Sequence, residues 1–253
     1  MRLPARSAAL LLAALAACGT SRSTVAPPPT GADSGRPPRA DVLVARARAL
    51  RAEGDAAGAR SRLEAALAVE PANDDARLEL ADLLLADGAE LERAATLLAA
   101  VAPPSPRAHL LSARLAELRG DDAGAAAAYA LALEAGDDAE ARLRRGLALD
   151  RLGRSEEAIS ELERVRASAP DDAIARGRLA ALYEAAGRLP DAEAEYRAVA
   201  EARPDRAQGW EELARFCDRI GRPAEARAAR EKTRAARGTA SARELRPLLP
   251  SKR

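Results

Sequence analysis

Three side chains here have chemistry that ordinary surface residues lack: the thiols of Cys18 and Cys217 and the imidazole of His109. An imidazole works as a general base only beside a nucleophile and an orienting group. His109 is the sole histidine, and no His-Glu-x-x-His, Cys-x-x-Cys, Gly-x-Ser-x-Gly or glycine-rich phosphate loop accompanies it. Carboxylates are many, but they follow the exposed faces of helices and pair at helical spacing. We therefore read no catalytic residue, no metal ligand, no cofactor and no small-molecule substrate. Cys217 falls within an apolar helical pattern, where a thiol packs as a small hydrophobe. Cys18 differs, because of what precedes it.

Arg2 and Arg6 lead into an apolar run from Ala8 to Ala17. That run has about ten residues, whereas a spanning helix needs roughly 20. A basic start, a short apolar middle and small residues before a cut describe a secretory signal. The site Leu15-Ala16-Ala17-Cys18 resembles the bacterial lipobox. In that family the peptide is cut before the cysteine, whose thiol takes a diacylglycerol and whose amine is acylated. The resemblance implies a signal peptide over 1–17, a lipidated Cys18, and stable anchoring by several acyl chains. Gly19 stands where inner-membrane retention commonly uses aspartate, so the implied place is the outer membrane, facing the periplasm. Residues 18–39 are rich in Ser, Thr, Pro and Gly and read as an extended flexible tether.

From Ala40 onward a block of about 34 residues recurs six times. Turn glycines stand at Gly54, Gly88, Gly120, Gly153, Gly187 and Gly221. Five or six places later come Ala59, Ala94, Ala125, Ala158, Ala192 and Ala226. Four places beyond each stand Leu63, Leu98, Tyr129, Leu162, Tyr196 and, out of pattern, Arg230. Pro71, Pro106, Pro170 and Pro204 end copies, with Asp137 in that slot of the third. Alanine lets two antiparallel helices approach, and the larger residue one turn away fills the space beside it. Glycine closes the first helix in a left-handed conformation, and proline stops the second. No segment alternates as a strand does. Aromatic residues are 2% of the chain, which suits a stack of helix pairs without a deep centre.

These positions resemble the tetratricopeptide repeat (TPR) family, most clearly at Leu179, Ala180, Tyr183, Gly187, Ala192, Tyr196 and Pro204 and again from Trp210 to Ala226. The resemblance implies an all-α, right-handed superhelical solenoid over 40–234, with repeats near 40–73, 74–105, 106–138, 139–172, 173–206 and 207–237. Residues 238–253 read as a basic disordered tail. An extra residue near Ala89–Arg93 and the proline-rich join Val101–Pro106 predict a local irregularity. In this family the first helices line a concave groove that holds a peptide or amphipathic helix. Carried onto this chain, the second, fifth, ninth and twelfth positions of the copies place Leu78, Leu85, Leu110, Leu143, Leu147 and Ile174 there. Arg48, Arg114, Asp150, Glu184, Glu211 and Arg215 fall in the same set. The register allows a shift that would put some of the leucines between repeats instead.

Charge divides unevenly. Residues 222–253 hold ten basic and three acidic side chains, while residues 40–221 hold 25 basic and 35 acidic. Arg227, Arg230, Lys232, Arg234 and Arg237 could meet an acidic partner or anionic headgroups. A terminal repeat also needs a polar outer face, and these side chains read first as that solvated cap. Export and the scarcity of aromatics argue against nucleic acid. The function expected is that of a non-enzymatic scaffold, bound to the membrane through lipid and to a protein partner through the groove. The layout is similar to that of type IV pilus secretin pilotins. The alternative is an accessory that tethers a peptidoglycan- or protein-cleaving envelope enzyme.

Overall fold

The computed structural model describes residues 39–88 and 90–245, with side chains to residue 238. The signal, Cys18, the tether as far as residue 38 and the end of the tail from residue 246 lie outside the described residues. Those described fold into twelve helices and no strand. The first helices of the pairs are α1 (Ala40–Ala52), α3 (Asp74–Asp87), α5 (Pro106–Arg119), α7 (Ala139–Arg151), α9 (Ala173–Ala185) and α11 (Ala207–Arg219). Their partners are α2 (Ala56–Val69), α4 (Leu91–Ala99), α6 (Asp122–Glu134), α8 (Ser155–Ser168), α10 (Leu189–Ala202) and α12 (Pro223–Leu245). Each helix packs on its neighbours in the chain, so the fold is an all-α repeat solenoid. No described helix is long and apolar enough to cross a membrane.

The phased residues do the work their types suggest. All six turn glycines adopt φ between 65° and 86°, the left-handed region that costs other residues a steric penalty. Ala59, Ala94, Ala125, Ala158, Ala192 and Ala226 are all buried, as are Leu63, Leu98, Tyr129, Leu162 and Tyr196. Side chains of Asp55, Asn73, Ser105, Asp121, Asp138 and Asp172 accept backbone N–H bonds at the starts of their helices. Such caps satisfy amides that the helix itself leaves free.

Two features depart from a uniform stack. α4 has only nine residues, and Glu90 before it sits at φ 52°. Its carboxylate is held by Arg60 at 2.7 Å and Arg93 at 3.2 Å. With α4 short, α3 packs directly on α5 as well as on α1. The core then divides into two clusters that meet at α5. Ala108, Leu111 and Leu115 join the first, and Ala113 joins the second. The other departure is at the end. α12 continues to Leu245, so residues 238–245, read from sequence as disordered tail, prolong the last helix by two turns. Ala240, Ala242, Arg243, Glu244 and Leu245 favour helix there and offset Gly238, Thr239 and Ser241.

Candidate protein-binding surface

Counting from the first residue of each pair, the fifth position is the one where sequence and structure part. Val44, Leu78 and Leu143 are 2%, 6% and 5% exposed, and Leu110 is half-buried. Leu85, a twelfth-position residue, is 1% exposed. Leu78, Leu85 and Leu143 are therefore inter-repeat core and offer no free side chain to a ligand, which corrects their placement on an open groove. The physical reason is packing within the stack: α3 lies against both α1 and α5, which covers Leu78 and Leu85, and Leu143 joins the second apolar cluster. Leu147 is half-buried and packs with Leu110 against the second core cluster. Ile174, at a second position, is 60% exposed.

The charged members of the set are tied together. Arg48 of α1 donates to Glu79 of α3 at 2.7 Å, and Arg51 to Asp82 at 2.7 Å. From the other side, Arg107 and Arg114 of α5 reach Glu79 at 3.0 Å and Asp82 at 3.3 Å. Arg144 of α7 meets Glu117 of α5 at 3.3 Å, and Arg178 of α9 meets Asp150 of α7 at 3.6 Å. Arg219 of α11 grips Glu184 of α9 through two nitrogens, at 2.5 and 2.8 Å. Every adjacent pair of first helices is bridged. Arg215 stays within α11, on Glu212 at 3.0 Å and Glu211 at 3.6 Å.

The two partners in these bridges are not equally placed. The carboxylates of Glu79, Asp82, Glu117, Asp150 and Glu184 are recessed, at most 24% exposed. Their arginine partners are 39–55% exposed. Burial works to raise the Glu79 carboxyl, but the bonds from Arg107 and Arg48 outweigh it and hold its pKa below the usual value. Arg219 lowers the Glu184 carboxyl directly, against a smaller opposing effect of burial. Burial, with the bond to Glu184, pushes the Tyr196 phenol up to about 12. What solvent meets along the first helices is a track of guanidinium groups with free N–H donors, beside Leu147 and Ile174.

A second constellation was not read from the sequence. The fourth residue of copies four and five is Arg142 and Arg176, and each meets a glutamate at position 23. Arg142 donates to Glu161 at 2.8 Å and Arg176 to Glu195 at 2.6 Å. Both carboxylates are buried, and each takes a second arginine, Arg145 or Arg166. Arg142 also binds Asp137 at 2.6 Å and 2.9 Å, so the copy that lacks its terminal proline is closed by an ion pair instead. Recurrence of Arg and Glu at 34-residue spacing was the available signal. The remaining thiol, Cys217, is free and 2% exposed, and burial pushes its pKa up. His109 is half-buried at the start of α5.

The comparisons agree with this architecture. No curated protein sequence matches the chain. Among solved structures, YrrB, a TPR protein with an unusual peptide-binding site, superposes with TM-score 0.61 at 19% identity, covering 69% of this chain and 91% of that one. PilW, a widely conserved type IV pilus biogenesis factor, gives 0.62 at 20% identity, covering 78% and 92%. Pseudomonas aeruginosa PilF gives 0.60 at 14% identity, covering 84% and 93%. At such identities the likeness is one of fold. A family model described as tetratricopeptide repeat matches residues 143–206 and 178–241, and another of the same description matches 50–115. With its phased glycines, buried alanines and stacked helix pairs, the chain belongs to the tetratricopeptide repeat family.

Proposed function

We propose that this chain is a non-enzymatic adaptor that holds a segment of a protein partner on its first-helix surface. The observation that carries the reading is the uninterrupted ladder of cross-repeat ion pairs, with recessed carboxylates and exposed arginines beside the free side chain of Ile174. A ligand suited to it is an amphipathic helix or extended peptide whose apolar residues cover Ile174 and Leu147. Its own carboxylates would take the spare arginine donors. Residues 1–18 support a lipid anchor on Cys18 and a place at the outer membrane, facing the periplasm. The order of signal, tether and six repeats supports a role in assembling an envelope complex such as a type IV pilus secretin.

Two measurements test the parts separately. Cys18→Ser should leave the membrane fraction or keep its signal; if it fractionates with the outer membrane as the parent does, the anchor is wrong. Affinity capture from intact envelopes should recover a partner with the parent chain and lose it with Ile174→Asp plus Arg178→Glu. Undiminished capture by that folded variant would move the binding surface elsewhere.

A further inference from the structure

Copy six breaks the arginine–glutamate exchange of copies four and five, and an open trough takes its place. Trp210 occupies the position of Arg142 and Arg176, and Ala229 that of Glu161 and Glu195. A wide indole thus faces a small neighbour, and space remains beside it. Two cavities adjoin there, between α10 and α12, and both are lined by Trp210, Glu201 and Lys232. One runs toward Leu213 and Glu225, the other toward Pro204 and Ala235. The Lys232 ammonium lies 4.1 Å from the indole centroid. A single exposed, flexible side chain therefore divides what is otherwise one trough. Its floor is the face of α11 that carries Trp210 and Leu213. Exposed Gln208 and Arg215 lie on the other side of that helix, at 100° per residue.

The charges around the indole are incompletely used. Glu201 has no ion-pair partner among the described residues. Among the described residues Glu225 reaches only Arg222, at 3.6 Å. Arg197 is occupied by Glu193 at 2.6 Å. Among the described residues Lys232 has the ring and no carboxylate. A tryptophan face attracts a cation, and Glu201, with the loosely held Glu225, adds to that attraction at its rim. The chain's own lysine already shows that an ammonium fits.

We propose that this trough binds a basic segment of a partner polypeptide, whose lysine or arginine displaces Lys232 from Trp210 and is held by Glu201 and Glu225. From Glu225 to Ala235 the trough follows ten residues of α12, about 15 Å. That length takes four or five extended residues, which selects a segment over a free amine. The site stands apart from the first-helix groove, and its preference for charge is the opposite one.

Trp210 is the only tryptophan, so its fluorescence reports the site directly. The full chain is titrated with a capped pentapeptide of alternating leucine and lysine, and with its glutamate counterpart. The lysine peptide should shift the emission saturably, and the glutamate peptide should not. Lys232→Ala should tighten binding about two- to fivefold, because the competing ammonium is gone. Glu201→Gln with Glu225→Gln should weaken it about fivefold or more. All the altered side chains are exposed, so far-ultraviolet circular dichroism should stay at the parent value. Lack of a saturable response in both the parent and Lys232→Ala overturns the proposal. Equal response to the glutamate peptide, or binding untouched by the glutamine pair and lost with Ile174→Asp, overturns it too and assigns the peptide to the groove.

Discussion

Gly209 brings α11 so close to α10 that a Cβ built on it would lie 2.9 Å from Ala200 Cα and 3.2 Å from Ala200 N. Ala76, Ala108, Ala141 and Ala175 hold the same third position in earlier copies, and all are at most 2% exposed. Only the last junction demands glycine, since the obstructing atoms are backbone and cannot swing aside. Gly209→Ala should force the two helices apart and cost about 1–3 kcal/mol. Denaturant unfolding followed by circular dichroism measures this; an unchanged midpoint would mean that the junction absorbs a methyl group freely.

The Arg142–Glu161 pair makes a second prediction. Both residues are at most 9% exposed, and Glu161 also serves Arg145. Glu161→Leu leaves buried Arg142 with Asp137 alone and takes the carboxylate from Arg145, and should cost about 1–3 kcal/mol. The sixth copy shows the alternative solution, an indole beside a methyl. Arg142→Trp with Glu161→Ala should therefore recover much of the loss, measured as the midpoint of chemical unfolding. A double variant no more stable than the single one would show that the exchange depends on Arg145 or Asp137 as much as on the pair.

Gly187, Ala192 and Tyr196 were legible because their roles are local: a turn, a close contact and the filler beside it all follow from spacing. The groove was legible only in part. Leu143 and Ile174 belong to one inferred set, yet one is core and the other is 60% exposed. Leu143 joins the apolar cluster that neighbouring repeats share and Ile174 does not, and no spacing within one copy records how the repeats pack on one another. The exchange of Arg176 and Glu195 for Trp210 and Ala229 was visible as letters. Its meaning needed the packing of position four against position 23. The extension of α12 was missed for a simpler reason: its composition suits a solvated helix as well as a tail.

Acid should loosen the array from its N-terminal half. Glu79 has a folded pKa below its unfolded value of 4.5 because Arg107 and Arg48 outweigh the opposing effect of burial. A depressed folded pKa means that the unfolded chain binds the proton more readily. The stabilisation is then complete above about pH 4.5 and is lost as pH falls through the folded value. Unfolding midpoints measured from pH 6 down to pH 3 should decline below about pH 4.5, and Glu79→Gln should flatten that decline. An identical slope in the variant would assign the acid sensitivity to other carboxylates, such as Glu184.

The groove prediction turns on telling core from surface. Leu110 and Leu147 are half-buried and pack on the second cluster, whereas Ile174 projects into solvent. Leu110→Asp with Leu147→Asp should therefore lower the melting temperature as well as any binding, since each places a charge against apolar neighbours. Ile174→Asp should leave melting within about 0.5 kcal/mol of the parent, as exposed substitutions do. It should still weaken partner capture, because covering one aliphatic side chain is worth roughly 1.5–3 kcal/mol. Thermal melts of both variants beside the capture experiment separate the effects. Loss of capture with normal melting in Ile174→Asp places the ligand on α9. Normal capture by Ile174→Asp and loss only in the unstable double variant would remove the first-helix surface from the binding site.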